Sequence, residues 1–456
     1  MTDSPPRQAP TRAPAIAVIG GGIAGAAACV SIARAGLRPL WLAPPPDRTT
    51  DPIGESLSPA AGPILEALGL GGLLASPRHR RSNTTFSAWG SSVLAERSGA
   101  VHLEGPGRVL DRHAFETDLA EAASARADRV PLAVAHAAAD GDGWALTLAD
   151  GQRRRAAFLI DASGRSALVG RALAAYRRID RQVAATALLP HRDAEVEPTP
   201  ATLIEAVADG WWYAALLPDG RLSLAYFSDP DLLPADLSRD LATWRRLIAQ
   251  TRHVGRWVAD AGFGVEAPPR LSSAGTTLLD PPAGTLTNGA GWAAVGDAAA
   301  AFDPLSSHGM TTALWTGARA GRAAVDALAG RRETLALYAD AVARGFDNFL
   351  VQRAALCARE RRFADAPFWL RRAGACSATL NMKGQRHGDV PMNVEIGSGQ
   401  RCRDHGQAAS AVWSTPVSAV SRCFRSAPCG SDSAGSGYPR RMCGGWPWSA
   451  PWRRPR

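Results

Sequence analysis

The stretch AIAVIGGGIAGAAACVSIARAG, residues 15–36, decides the fold. Its apolar start reads as a short buried strand, the glycines as a tight turn, and the run that follows as a helix to Ala35 that Gly36 stops. LRPLWL at 37–42 is then a second strand, so a βαβ unit begins at once. Gly20, Gly22 and Gly25 stand in the pattern GxGxxG between strand and helix. The first permits the turn, the second lets backbone approach a pyrophosphate, and the third lets the helix pack closely. The same run follows Arg7 and Arg12, as in a signal peptide, but glycines at 20, 21, 22 and 25 would spoil a compact apolar helix.

Working outward, the acid expected at the end of the second strand to bind an adenosine ribose is missing: Ala43 holds that place and the nearest acid is Asp47. AAFLIDASG ends a further strand at Asp161, and GWAAVGD ends another at Asp297. Strands so far apart predict one parallel sheet collected from distant parts of the chain. Between about 184 and 264 the texture becomes alternating and β-prone, with a hairpin turn at Asp219-Gly220, and after Gly309 it is helical. The expected fold is α/β: a Rossmann-like dinucleotide-binding domain (15–75, 105–180 and 270–330), an inserted antiparallel-sheet substrate domain (76–104 and 181–269), and a C-terminal helical segment (331–375). A mobile leader, 1–14, precedes them, and a low-complexity tail, 376–456, follows.

The formal charge of +9 suggests nucleic acid until it is located. The tail from Cys376 holds eleven Lys or Arg against four Asp or Glu, leaving 40 against 38 elsewhere. Five of seven cysteines also lie in the tail, without zinc or disulfide spacing. The tail reads either as a disordered appendage or as an out-of-frame product of a GC-rich gene. The expectations are no metal, no nucleic acid, no membrane and a cytoplasmic location.

Three motifs extend the reading: IGESLSPAAGPILEALGL at 53–70, IDASGR at 160–165 and VGDAAAAFDPLSSHG at 295–309. With the glycine fingerprint and DGWWYAALLPDGR at 209–221, the chain from Ala15 to about Arg372 resembles the FAD-dependent monooxygenases of the p-hydroxybenzoate hydroxylase fold. Its tryptophan-halogenase-like branch, which includes monooxygenases of tryptophylquinone cofactor biogenesis, is the most similar. The resemblance implies FAD as cofactor, with NAD(P)H or a partner flavin reductase as electron source. It also implies roles for cofactor-binding residues: Gly20, Gly22 and Gly25 at the pyrophosphate, Glu55 and Ser56 lining the flavin site, and Arg112 on phosphate or ribityl oxygens. Asp161 and Gly164 close near the phosphates with Arg165, Asp297 bonds the ribityl chain, and Pro304, Ser307, Gly309 and Met310 lie beside the isoalloxazine. His308, Trp212 and Tyr213 are the catalytic candidates, the first because an imidazole trades protons near neutral pH.

The implied reaction is hydroxylation of an aromatic, indole- or tryptophan-type substrate, small, carrier-bound or peptidyl, through a flavin C4a-hydroperoxide. Halogenation, the first alternative, needs a catalytic lysine, and the lone lysine is Lys383 in the tail. The halogenase WxWxIP pattern also fails, with Tyr213 and Ala215 where its two tryptophans belong. An isoprenoid-type flavin reductase and a non-enzymatic flavin-binding factor are the other readings.

Overall fold

The strand Ile16–Ile19 has all four residues buried because it lies at the centre of a six-stranded sheet. It pairs in parallel with Leu40–Leu42 on one side and Phe158–Asp161 on the other. Asp128–Val130 and Gly291–Ala294 extend the parallel part, and Ala283–Thr285 closes one edge antiparallel. This is a computed structural model that describes residues 15–46, 54–99 and 106–373. The leader 1–14, Asp47, Lys383 and the tail from 376 lie outside the described residues.

The helix Ile23–Arg34 buries nearly its whole length against the helix Gly309–Leu328. Two glycines set that approach: a Cβ on Gly317 would stand 2.2 Å from the Ala24 carbonyl oxygen, and one on Gly321 2.8 Å from that of Ala28. The two helices join at backbone distance, which places both N-termini at the carboxyl ends of the parallel strands. Ligands bind at such ends in open α/β sheets.

A seven-stranded sheet carries the rest, in the order 270–273, 183–189, 222–228, 210–216, 202–207, 84–88, 95–98. The hairpin at Asp219-Gly220 is present, with Gly220 at φ +85° and Leu217 N–H donating to the Arg221 carbonyl. The structure adds two details to the expected outline. The sheet is not wholly antiparallel, since Thr202–Val207 runs parallel to Thr84–Ala88. It also takes in Arg270–Ser273, beyond the expected limit at 269, because that strand satisfies the free edge of Val183–Leu189.

One face of this sheet packs Trp212 and Tyr226 against Trp244 and Trp257 from two short helices, 241–249 and 254–260. The other face carries Trp211 and Phe227, which join Phe368 and Trp369 of the helix Pro367–Ala373. The preceding helix, Glu333–Ala358, buries Leu335, Tyr338 and Val342 in the nucleotide-side core. The C-terminal helices therefore bind the two sheets together.

Candidate functional site

A cavity of about 430 Å³ lies between the ends of the parallel strands and the inner face of the seven-stranded sheet. Its nucleotide-side wall starts at the glycine turn. Gly20 has φ +116°, and a Cβ there would sit 2.2 Å from the Ala162 carbonyl oxygen; one on Gly25 would sit 2.2 Å from the Gly20 carbonyl. Gly22 faces open space, with no atom within 4 Å of its would-be Cβ. Two glycines are thus needed for close packing and the middle one for a ligand's approach. Gly164 and Gly309, also in the wall, are equally open. Three bare backbone segments around one cavity form a cradle that fits a dinucleotide.

Polar groups converge on it. Asp297, in the turn after the strand Gly291–Ala294, lies 3.2 Å from Arg165 Nε, and both side chains line the cavity. Burial pushes the Asp297 carboxyl up, while Arg165 pulls it back. Arg112 opens the helix Arg112–Ser124, whose cap, Asp111, accepts from Ala114 N at 2.9 Å. Its guanidinium donates to the Gly54 carbonyl and to Glu116, and it shares the wall with Ser56. Glu116 was missed in the sequence; its position one turn after Arg112 was the available signal. Pro304, Ser307, Gly309 and Met310 all line the cavity. Ser307 is left-handed at φ +51°, a strained turn that delivers the N-terminus of a 20-residue helix, with its partial positive charge, to the wall.

The substrate-side wall is aromatic. Trp211 and Phe227 stack with centroids 4.1 Å apart, and Tyr213, Ala184 and Ala225 extend the surface. Ser272 and Ser273 add hydroxyls from the strand beyond the expected boundary.

Four expected site residues stand elsewhere. Trp212 is one residue from two wall residues, so strand alternation turns it to the opposite face, stacked between Tyr226 and Trp244. Asp161 is fully buried, and its carboxylate is consumed by its own loop: one oxygen accepts from Ser163 N and Oγ, the other from Val169 N and Gly170 N at 2.8 and 2.9 Å. It shapes the segment that presents Gly164 and Arg165. His308 is the residue before the helix and stays outside the wall formed by Ser307 and Gly309. Burial pulls its imidazole down, toward the neutral form.

Glu55, 2 % exposed, is turned away between Gly54 and Ser56, which do line the cavity. Ser223 Oγ donates to its Oε2 at 3.2 Å. The Tyr213 phenol comes close enough to alter its protonation, although neither Glu55 Oε1 nor the phenol oxygen completes a well-formed hydrogen bond. Burial raises both groups, which favours the neutral form of each. Among the described residues there is no cluster of three His, Cys, Asp or Glu side chains that could hold a metal, and no helix is long and apolar enough to cross a membrane.

No family model matches the chain. Curated relatives include one named FAD-dependent oxidoreductase LodB, from Marinomonas mediterranea, which is 28% identical over 374 residues, covering 78% of this chain and 95% of that protein. Menaquinone reductase of Mycobacterium tuberculosis is 30% identical over 369 residues, covering 76% and 85%. Among solved structures, the peptidyl tryptophan dihydroxylase QhpG, essential for tryptophylquinone cofactor biogenesis, aligns with TM-score 0.64 and 25% identity over 79% of each chain. The myxobacterial chondrochloren halogenase CndH aligns with TM-score 0.69 and 22% identity over 82% of this chain and 90% of that one, a likeness of fold. With the open glycine cradle and the converging Arg112, Arg165 and Asp297, these likenesses establish that the chain belongs to the FAD-dependent oxidoreductases of the fold shared by p-hydroxybenzoate hydroxylase and the flavin-dependent halogenases.

Proposed function

We propose that the protein is an FAD-dependent monooxygenase that hydroxylates an aromatic, indole- or tryptophan-type substrate. The observation that carries this reading is the wall of Trp211, Tyr213 and Phe227, which faces the flavin-side loop 302–310 across one cavity. A planar ring stacks on such a wall and presents an edge to the opposite side. When bound and reduced, FAD supplies the activation of dioxygen. Gly22 would admit the pyrophosphate, Arg112 would hold phosphate or ribityl oxygens, and Asp297, steadied by Arg165, would accept from ribityl hydroxyls. The helix N-terminus at Gly309 and Met310 would face the electron-rich edge of the ring system. The apolar wall keeps water from the reacting atoms.

QhpG acts on a peptidyl tryptophan, which supports a protein-borne indole as one form of the substrate. Electrons would come from NAD(P)H or from a partner flavin reductase. Cys29 and Cys357 are buried free thiols, as suits the reducing cytoplasm that we infer for the protein.

A second reading has its own support in the menaquinone reductase likeness at 30% identity. It predicts a saturated product rather than an oxygenated one. Halogenation is disfavoured, because residues 15–373 contain no lysine. Mass spectrometry after turnover with an indole-containing peptide, free tryptophan and a menaquinone analogue, with chloride and bromide present, distinguishes the three. Gain of one or two oxygen atoms supports hydroxylation; gain of two hydrogens, or of halogen, overturns it.

A further inference from the structure

A buried charged network lies behind the flavin-side loop, and of its members only Asp303 falls within a motif quoted from the sequence. Its centre is Arg353, on the helix Glu333–Ala358, only 5 % exposed. The guanidinium donates to Asp180 Oδ2 and, at 2.8 Å, to Thr276 Oγ1, and it stands 3.7 Å from Asp303 Oδ2. Asp180 in turn accepts from the backbone of Thr276 and Gln182 at 3.0 and 3.2 Å. Asp303, 2 % exposed, is part of the cavity wall and the anchor of the loop's turn: its Oδ1 accepts from Leu305 N at 3.0 Å and from Gln182 Nε2 at 3.3 Å. Arg372, on the last described helix, steadies the same glutamine by donating to its Oε1 at 3.0 Å while bonding Asp229 at 2.8 Å.

We propose that Arg353 is a positioning residue for the flavin: seated between Asp180 and Asp303, it fixes where Pro304, Ser307 and Gly309 stand in the cavity wall. A buried ion pair adds little net stability, because desolvating both charges offsets their attraction. What it does supply is a definite geometry, and here that geometry belongs to a strained turn with Ser307 left-handed. Removing the guanidinium leaves the buried Asp303 carboxyl, already pushed up by burial, and the partly buried Asp180 carboxyl without the cation between them. The turn then relaxes away from its position. The C-terminal helices thus belong to the flavin site, through this network as well as through the apolar packing of Trp211, Phe227 and Phe302 on them.

The experiment compares three variants of the full chain reconstituted with FAD: Arg353→Lys, Asp303→Asn and Glu360→Gln. Glu360 serves as the control, being as buried as the network but bonded to Gly90 and Arg362. Arg353→Lys and Asp303→Asn are expected to weaken FAD by about tenfold and to alter the visible circular dichroism of the bound flavin. Glu360→Gln is expected to lower the melting temperature while FAD affinity stays within about twofold of wild type. If Arg353→Lys does not fold, Asp303→Asn decides alone, since it keeps the acceptor for Leu305 N. Wild-type affinity and dichroism in Asp303→Asn, or an equal loss of FAD in Glu360→Gln, overturns the proposal.

Discussion

The two walls of the cavity are built by different physics. The nucleotide-side wall is mostly backbone: turns at Gly22, Gly164 and Gly309 that stay open because a side chain is missing. The substrate-side wall is mostly side chain: Trp211, Tyr213 and Phe227 projecting from two strands of one sheet. A backbone wall is specified by residues close in sequence, since a turn is a local object. A side-chain wall is specified by register and by what covers each face, which are properties of the whole sheet. Substitutions on the first should therefore change cofactor binding with the fold intact. Substitutions on the second should divide sharply between the two faces of one strand.

The largest effect expected tests that division. Trp212→Ala should destabilise the protein by roughly 3–5 kcal/mol, measured by denaturant unfolding, because it empties the stack between Tyr226 and Trp244. FAD affinity of the folded fraction should hold. Trp211→Ala, which also empties a packed position, should in addition change the binding of aromatic ligands, read as perturbation of the flavin spectrum; if both substitutions weaken those ligands alike, the faces are not separate.

On the opposite wall, Gly22→Val should leave a folded protein that has lost FAD affinity by about a hundredfold or more, since its side chain enters open cavity. Gly25→Val should fail earlier, at folding, because its Cβ meets the Gly20 carbonyl at 2.2 Å. Yellow, FAD-loaded Gly22→Val protein would break the comparison. Asp297→Ala should weaken FAD by roughly 1–3 kcal/mol through a lost hydrogen bond, and it leaves Arg165 without its carboxylate. Fluorescence quenching on FAD titration measures it.

Glu55 gives a pH-dependent test. Its folded pKa is raised by burial, so the folded protein holds the proton at pH values where the unfolded chain has released it. The stability this contributes is fully present below the ordinary carboxylate range and is lost as pH rises through the raised value. Melting temperatures of wild type should accordingly fall relative to Glu55→Gln as pH rises from about 4 to 8. A gap that does not vary with pH would mean that folding leaves the pKa of the carboxyl unshifted. The smallest effect belongs to His308: with its side chain outside the cavity wall, His308→Ala should change FAD affinity by less than about 0.5 kcal/mol. A larger loss would place the imidazole on the flavin after all.

The sequence by itself determined what depends on neighbours in the chain. The spacing of Gly20, Gly22 and Gly25 announces the turn, and strand ends at Ile160-Asp161 and Ala294 announce the sheet's ligand edge. The Asp219-Gly220 pair marks its hairpin for the same reason: φ and ψ are set by local sterics. Tertiary structure alone decided the rest. Trp211, Trp212 and Tyr213 are adjacent aromatics of one strand, and the helices that cover one face select which of them meets the cavity. Asp161 and Glu55 look like ligands in sequence, but their carboxyls turn away, one into its own loop and one toward Ser223 from another sheet. The strand Arg270–Ser273 joins the sheet of Val183–Leu189, and Arg353 reaches Asp180 and Asp303 across spans of 173 and 50 residues. Such pairings are fixed by which buried groups lack partners after folding, and no local pattern encodes them.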